Sequence, residues 1–271
     1  MSALSFDLTG RTAIVTGGYG VLGGSMASAL ASAGARVAIL GRRADAAEEK
    51  AAEIRSSGAD AVAVVADVLD EVALRTARDE LARGWGRLDI LINAAGGNVP
   101  RARTDTVPVF ETPIDAYDEV VALNLKSTVV ATLIMGELMA RQKRGAVVNI
   151  SSMAAHQAIS AVMGYSVAKA GIDSFTRWMA VDMARRYGDG IRVNAIAPGF
   201  FLGNQNRGVL LNEDGSYTTR ANTIIAKTPM GRFGSANELN GAVQWLCSDA
   251  ASFVTGVVIP VDGGFSAFSG V

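Results

Sequence analysis

The fold can be inferred from residues 12–40, whose sequence is TAIVTGGYGVLGGSMASALASAGARVAIL. This stretch reads as a short apolar strand, a glycine-rich turn, a helix of small residues and a second apolar strand. A glycine-rich turn lets the backbone approach a pyrophosphate, and the free amides and dipole of the following helix favour its negative charge. Such a turn alone can equally be structural, but its position after the first strand of a βαβ unit is typical of dinucleotide binding.

The same alternation of short apolar runs and longer alanine-rich segments continues along the rest of the chain. Because the runs are apolar on both faces, they suit strands of a parallel sheet that is covered by helices on each side. The predicted strands are 12–16, 35–40, 61–66, 88–93, 145–151, 191–197 and 256–261. No linker or repeat divides the chain. Residues 1–271 are therefore predicted to form a single α/β domain of the Rossmann type, with a doubly wound parallel sheet in a three-layer α/β/α arrangement.

Composition excludes several classes of function. The 271 residues are 49% hydrophobic and 19% charged, as in a well-packed globular protein, and 25 basic against 26 acidic residues give a net charge of −1. With no basic block, neither nucleic acid nor an anionic membrane is expected as the main partner. Apolar stretches are broken before the roughly 18 to 20 residues of a membrane span, and no basic leader precedes an apolar segment, so a soluble, cytoplasmic protein is expected.

The counts of cysteine and histidine limit the chemistry further. Cys247 is the only cysteine and His156 the only histidine, so an intrachain disulfide and a zinc site built on paired cysteines are excluded, and no metal site is predicted. Cys247 is predicted to be a small buried hydrophobic residue. His156 follows a predicted strand end, where it could line a pocket or have no chemical role.

Two segments interrupt the alternation, at about 97–113 and about 200–228. Both follow strand carboxyl ends, so they are predicted to overhang the edge at which such sheets bind ligands. Their polar residues outnumber large apolar ones, which suits a hydroxylated or acidic small molecule better than a steroid or acyl chain. An arginine here could hold a substrate carboxylate, or could equally be a solvated loop charge. The candidate substrate-binding residues are Asn98, Arg101, Arg103, Asn204, Gln205, Asn206 and Arg207.

The end of the second strand bears on the choice of cofactor. Where an NAD-binding unit would place an acidic residue against the ribose 2′-hydroxyl, the chain has Gly41, Arg42 and Arg43. A guanidinium in place of a carboxylate suits a 2′-phosphate, so NADP(H) is favoured. If the two arginines are merely solvated, NAD(H) is possible. Asp67, after the third strand, could hydrogen-bond the adenine or serve as a turn residue.

Tyr165 and Lys169 stand four residues apart in YSVAK, a spacing that places both on one face of a helix. A tyrosine with a pKa of about 10 is a poor acid or base at neutral pH, and a neighbouring cation can lower that pKa. Ser152, at a predicted strand end, could supply a hydroxyl to the same reacting oxygen. Each residue alone has a structural explanation, so their joint occurrence with the glycine turn carries the interpretation.

With that combination the chain resembles the short-chain dehydrogenase/reductase family from about residue 9 to the C-terminus. The matching features are TGGYGVLG at 16–23, Asp67, NAAG at 93–96, Asn124 within LNL, the thirteen-residue spacing of Ser152 and Tyr165, YSVAK, Pro198–Gly199 and VTGVVIPVDGG at 254–264. The chain departs from the family at Val21, where glycine is usual.

The resemblance implies a role for each matching position. Ser152 would orient the substrate oxygen, Tyr165 would exchange its proton, Lys169 would lower the pKa of Tyr165 and bind the nicotinamide ribose, and Asn124 would hold a water. The implied cofactor contacts are Gly17, Gly20, Val21, Leu22, Gly23, Arg42, Asp67, Val68, Asn93, Ala95, Gly96, Tyr165, Lys169, Pro198, Gly199 and Phe201. The family also implies a homotetramer, for which apolar faces around 119–139 and 166–184 are candidates.

Residues 198–234 and the ending DGGFSAFSGV further resemble the D-mannonate oxidoreductase, or fructuronate reductase, subgroup. The implied reaction interconverts D-mannonate and D-fructuronate. The alternatives are another polyol or sugar-acid dehydrogenase, such as a gluconate 5-dehydrogenase, or a 3-oxoacyl reductase. A non-catalytic nucleotide-binding sensor or scaffold is a different class of alternative, but it would not require Ser152, Tyr165 and Lys169 together.

Overall fold

A computed structural model of the chain describes residues 5–105, 107–203 and 206–270. Within these residues seven strands form one parallel sheet in the order β3-β2-β1-β4-β5-β6-β7. The strands are β1 (Thr12–Thr16), β2 (Arg36–Gly41), β3 (Ala61–Val65), β4 (Ile90–Asn93), β5 (Gly145–Ile150), β6 (Ile191–Pro198) and β7 (Val258–Val261). All seven predicted strands are confirmed, with their ends within about two residues.

Helices cover both faces of this sheet, which confirms the three-layer arrangement. They are α1 (Val21–Ser32), α2 (Ala44–Ser56), α3 (Glu71–Trp85), α4 (Ile114–Val121), α5 (Ser127–Gln142), α6 (Met163–Tyr187), α7 (Arg207–Leu210), α8 (Thr219–Lys227) and α9 (Asn240–Cys247). Helices α1, α2 and α9 share one core cluster with the sheet, and α3, α5 and α6 share the other. Along β1, Ala13 and Val15 pack into the first cluster and Ile14 into the second, so this strand is apolar on both faces.

The strand order reverses beside β1, which pairs with β2 on one side and β4 on the other. Thr16, the last residue of β1, lies level with Leu40 of β2 and Asn93 of β4. In open parallel sheets a crevice forms outside the carboxyl ends at such a reversal, and ligands bind there. The glycine turn that follows Thr16 therefore lies at the ligand-binding edge.

One helical stretch needs separate comment because it is long and apolar. Residues 114–142 run through α4, a π-helical turn (Ala122–Lys126) and α5 without a break, and by length and composition they could cross a membrane. This differs from the expectation that no apolar stretch reaches that length. Ile134, Met135 and Met139 are buried in the core beneath the sheet, so α5 packs as a core helix.

The second predicted loop is more structured than expected. It contains α7, α8 and an antiparallel bridge between Leu211 and Tyr217. Leu210, Ala221 and Ile224 form a small separate core, and the Thr218 hydroxyl accepts a hydrogen bond from the Ala221 amide at the start of α8. The loop is therefore stabilised by a small core of its own, separate from the two cores beside the sheet.

Candidate active site

A cleft of about 770 Å³ opens at the carboxyl edge of the sheet, and most of the predicted ligand contacts line it. Its nucleotide end is formed by the glycine turn and the ends of β2 and β3, and its other end lies under the two long segments. The predicted cofactor contacts that line it are Gly17, Gly20, Val21, Leu22, Gly23, Arg42, Asp67, Val68, Ala95, Gly96, Tyr165, Lys169, Pro198, Gly199 and Phe201.

Two glycines of the glycine-rich turn, Gly17 and Gly23, are packed too tightly to carry a side chain. A Cβ added at Gly17, whose φ is +62°, would lie 3.0 Å from the Ala95 backbone, and one added at Gly23 would lie 2.3 Å from the Gly17 carbonyl oxygen. No side chain caps the start of α1 at Gly20. Helix-start amides left without a side-chain cap suit an anionic ligand, so this turn fits a dinucleotide pyrophosphate.

The departure from the family pattern at Val21 does not disturb this turn. Among the described non-glycine residues only Lys143 and Ala161 have positive φ, so the backbone at Val21 does not require glycine. The Val21 side chain lies near Gly203, where an added Cβ would be 3.7 Å from it. Val21 therefore lies close to the segment after β6.

The end of β2 carries guanidinium groups and an aromatic ring. Gly41 leaves room for the ring of Tyr19, and the Arg43 guanidinium lies 4.7 Å from the centre of that ring. Arg42 Nη1 is 3.7 Å from Asp67 Oδ2, and Asp67 Oδ1 also accepts from the Leu69 amide at 2.9 Å. Asp67 thus stabilises the turn after β3 and also lines the cleft. Sequence reasoning missed Tyr19. The feature that could have indicated it is Gly41 at the end of β2, which has no side chain where the Tyr19 ring packs.

The three candidate catalytic side chains all line the cleft, and Tyr165 contacts both of the others, through a hydrogen bond with Ser152 and through the neighbouring Lys169 ammonium. Ser152 follows β5, and its Oγ accepts a hydrogen bond from the Ala154 amide at 3.1 Å. Tyr165 and Lys169 occupy successive turns near the start of α6. Lys169 Nζ lies 5.3 Å from the centre of the Tyr165 ring and donates to the Ile150 carbonyl oxygen at 2.6 Å.

Burial is the main influence on the pKa values of Tyr165 and Lys169. It raises the pKa of Tyr165, and the hydrogen bond with Ser152 opposes the rise only in part. Burial also lowers the pKa of Lys169 to about 8, against the opposing charge of Asp173. The expected lowering of the Tyr165 pKa by Lys169 is therefore not found, because desolvation of the phenolate outweighs the other effects. At neutral pH this leaves a neutral phenol beside a predominantly cationic lysine.

Asn124 lies behind the cleft and does not line it. It is buried in the π-helical turn, where its Oδ1 accepts from the Gly97 amide at 3.0 Å and its Nδ2 donates to the carbonyl oxygens of Gly97 and Val120. Both amide hydrogens are thus used, so a water held by this side chain would have to donate to Oδ1. The side chain also positions the Gly96–Gly97 backbone, since a Cβ at Gly96 would lie 2.7 Å from Asn124 Oδ1 and 3.6 Å from Lys169 Nζ.

Asn93 likewise supports the site from within the sheet. It is buried, and its Nδ2 donates to Thr132 Oγ1 and Asn149 Oδ1, both at 2.8 Å. The side chain joins β4 to β5 and α5, as expected for a residue that stabilises the central sheet. The side chain is not among the residues that line the described cleft, so the predicted cofactor contact at Asn93 stays a prediction.

A buried pair continues the helix face of the catalytic residues. Asp173 is four residues after Lys169, is buried, and forms a hydrogen bond with His156, whose Nε2 is 2.8 Å from Asp173 Oδ2. His156 does not line the described cleft. Sequence analysis missed Asp173, although the spacing of four in Tyr165, Lys169 and Asp173 would have pointed to it.

The substrate end retains only part of the predicted set. Asn98, Arg103 and Asn206 line the cleft. Arg101 instead pairs with Asp115 at 2.9 Å and Glu119 at 3.4 Å outside it, and Arg207 is exposed outside it. Asn204 and Gln205 lie outside the described residues. Arg220 of α8 lines the cleft and was not predicted.

Cys247 is buried as predicted, and burial raises the pKa of its thiol to about 12. Among the described ranges no three His, Cys, Asp or Glu side chains converge in a way that could hold a metal ion. The polar side chains that line the cleft carry hydroxyl, phenol, ammonium, guanidinium and amide groups and the Asp67 carboxylate.

Comparison with known proteins agrees with this geometry. A family model described as enoyl-(acyl carrier protein) reductase matches residues 20–266. The uncharacterized oxidoreductase UxuB of Bacillus subtilis is 43% identical over 281 aligned residues, covering 100% of both chains.

Solved structures share the whole fold. A candidate D-mannonate oxidoreductase from Haemophilus influenzae with bound NAD is 40% identical, with a TM-score of 0.92 over 98% of each chain. A gluconate 5-dehydrogenase from Burkholderia cenocepacia, in complex with NADP and tartrate, is 32% identical, with a TM-score of 0.87 over 97% of this chain and 98% of that one. The chain therefore belongs to the short-chain dehydrogenase/reductase family of oxidoreductases.

Proposed function

We propose that the protein is an NAD(P)-dependent oxidoreductase that interconverts a secondary alcohol and a ketone on a small polar sugar acid, with D-mannonate and D-fructuronate as the favoured pair. The observation that carries the proposal is the convergence of Ser152, Tyr165 and Lys169 in a cleft whose other end is a glycine turn without a side-chain cap. The similarity to a candidate D-mannonate oxidoreductase supports the choice of substrate.

The side chains divide the chemistry among them. A bound nicotinamide supplies hydride transfer. Ser152 would donate a hydrogen bond to the substrate oxygen, and Tyr165 would exchange a proton with it. Burial raises the pKa of Tyr165, so the phenol stays protonated at neutral pH, which is the form required to protonate a carbonyl oxygen during reduction. Oxidation would be favoured at higher pH.

The substrate end of the cleft suits a polar, anionic molecule. Asn98 and Arg103 line it, and the described lining residues there include no aspartate or glutamate. A gluconate 5-dehydrogenase or another polyol or sugar-acid dehydrogenase is the second candidate, supported by the relative that binds tartrate. The guanidinium groups disfavour an uncharged acyl chain.

The proposed cofactor is NADP(H), because Arg42 and Arg43 line the cleft where β2 ends and no carboxylate of β2 faces them. NAD(H) is the alternative, and a 40% identical relative binds it. The ratio of kcat/KM values measured with the two oxidised cofactors decides between them.

Assembly and location are also proposals. Leu133 of α5 and Val167, Trp178 and Val181 of α6 are exposed apolar side chains, which supports burial of these helices in a homotetramer. A cytoplasmic location is proposed from the sequence. Light scattering of the purified protein tests the assembly.

The test of the proposed function compares the wild type with Tyr165→Phe on a panel of sugar acids and polyols. D-mannonate is expected to give the highest kcat/KM among them. Loss of the phenol hydroxyl is expected to lower kcat by about 100- to 10,000-fold, since a positioned acid/base contributes that much. Fluorescence titration with NADPH should show unchanged cofactor affinity. If the wild type binds NADPH normally but turns over no compound of the panel, the sensor or scaffold alternative is favoured.

A further inference from the structure

Arg220 is a charged residue of the substrate end for which neither the family pattern nor the sequence analysis provides a role. It lies in the first turn of α8 and lines the cleft. Its Nη1 donates to Ser160 Oγ at 3.0 Å and its Nη2 to the Ser160 carbonyl oxygen at 3.2 Å. A guanidinium has five N–H donors, so these two bonds fix its plane and leave three donors for a ligand.

The loop that holds Arg220 is itself constrained. Ala161, next to Ser160, lines the cleft and has a φ of +73°, a left-handed conformation that is costly for a residue other than glycine. Its carbonyl oxygen accepts a hydrogen bond from the Thr104 amide at 3.2 Å. The Ser160–Ala161 backbone is therefore held by the 97–113 segment on one side and by Arg220 on the other.

The charges nearby leave an excess of positive charge. Arg103 donates to Asp105 through Nε at 3.0 Å and through Nη2, and these bonds, with a smaller contribution from the charge of Arg220, lower the pKa of Asp105. Of these two guanidinium groups only that of Arg103 binds Asp105 directly, and the charge of Arg220 acts on it from a longer distance. Asp67, the one carboxylate among the described lining residues, is at the nucleotide end beside Arg42.

The other arginines of these segments are less suited to bind an anion in the cleft. Arg101 has Asp115 and Glu119 as partners outside it, and Arg207 is exposed outside it. Arg103 lines the cleft but already binds Asp105. Arg220 combines a place in the lining with no ion-pair partner within 4 Å among the residues that the structure describes.

We propose that Arg220 binds the carboxylate of the substrate and thereby selects sugar acids over neutral polyols. A planar fork held at one edge by Ser160 can meet a carboxylate with charge-assisted hydrogen bonds from its remaining donors. This inference rests on the proposed function. The competing explanation is that Arg220 only ties α8 to the Ser160 loop and so supports the shape of the cleft for any substrate.

The experiment measures kcat and KM at saturating cofactor for the best sugar acid and for its neutral primary amide, in wild type, Arg220→Gln and Arg220→Lys. Arg220→Gln is expected to raise KM for the acid by about 10- to 100-fold, the usual effect of losing a hydrogen bond to a charged group, and to change KM for the amide by less than about threefold. Arg220→Lys should recover part of the loss, since it keeps the charge without the fork. Arg141→Gln, in the last turn of α5 and outside the cleft lining, removes an arginine that pairs with Glu137 and should change neither value.

The outcomes separate this inference from the proposed function. Equal losses on acid and amide, or no loss on the acid, would overturn the carboxylate role of Arg220 and leave the proposed function standing. Wild type that turns over polyols but no sugar acid would overturn the proposed substrate class. In that case tartrate serves as a carboxylate probe, with the reduced cofactor present so that its hydroxyl groups cannot be oxidised. Thermal stabilisation by tartrate in wild type that Arg220→Gln loses would support the Arg220 site, and stabilisation of both proteins alike, or of neither, would overturn it.

Discussion

The two ends of the cleft are built in different ways. At the nucleotide and catalytic end, the lining residues sit on strand ends or in the first turns of helices, as with Gly17 after β1, Ser152 after β5 and Tyr165 in α6. At the substrate end they sit on the 97–113 segment and on the structured insertion that carries α7 and α8. The first end is held by the sheet, whereas the second is held by contacts between distant segments.

This difference explains which side chains take their expected places. Parallel register sets Thr16 level with Asn93, and helical spacing sets Lys169 one turn beyond Tyr165, so neighbours in space follow from spacing in sequence. The substrate end depends on bonds such as that of Arg220 to Ser160, sixty residues apart. Its geometry cannot be obtained from local spacing.

The largest effect is expected where the nucleotide end is most tightly packed. Gly23→Ala would place a Cβ 2.3 Å from the Gly17 carbonyl oxygen, so the turn must shift. We expect dinucleotide affinity to fall on the order of 100-fold, because overpacking of this kind costs about 1–3 kcal/mol and misplaces the amides. Fluorescence titration with NADPH measures this loss.

Gly136→Ala provides the matched control for that substitution. Gly136 lies within α5, and a Cβ there would meet no atom within 4 Å. Alanine should leave NADPH affinity unchanged and stabilise the helix by about 0.5–1 kcal/mol in urea unfolding. Wild-type affinity in Gly23→Ala would show that the turn yields, and that the nucleotide end is less rigid than its packing indicates.

The sequence allowed the sheet, the cleft and most of its nucleotide end to be predicted, because these follow from apolar periodicity and the glycine turn. It did not show that Asn93 and Asn124 turn inward to bond Thr132, Asn149 and Gly97, since a motif locates a residue without naming its partners. The sequence also did not reveal that burial raises the pKa of Tyr165. Its pKa depends on desolvation by residues from several elements, which spacing does not reveal.

A smaller effect should appear at Asp173, which extends the helical face of the catalytic end into the core. The charge of Asp173 opposes burial and holds up the pKa of Lys169, which is about 8. In Asp173→Asn this pKa falls, so Lys169 loses its proton at a lower pH. If a cationic Lys169 is required, the alkaline limb of the kcat/KM profile moves to lower pH, with a loss of about three- to tenfold near pH 8 and little change near pH 6.

His156→Gln is the control for this pH effect, since glutamine can still donate a hydrogen bond to Asp173 and leaves its charge in place. Its alkaline limb should match that of the wild type.

The effect of Lys169 on the stability of the fold has the opposite sign to that of a lysine in an ordinary ion pair. Because the folded pKa of Lys169, about 8, lies below its ordinary 10.5, its burial costs stability below pH 8, and this cost disappears as the pH rises toward 10.5. An unshifted alkaline limb in Asp173→Asn would show that Lys169 is not the group titrating there.

The smallest effects should come from the two arginines of the substrate segments that lie outside the cleft. We expect Arg101→Ala and Arg207→Ala each to change kcat/KM for the sugar acid by less than about twofold, since exposed ion pairs in general contribute little. Arg101 is bound to Asp115 and Glu119, so turning into the cleft would break both contacts. A loss of tenfold or more in either variant would mean that its segment rearranges when substrate binds. The substrate end would then differ from the catalytic end in mobility as well as in the way its residues are held.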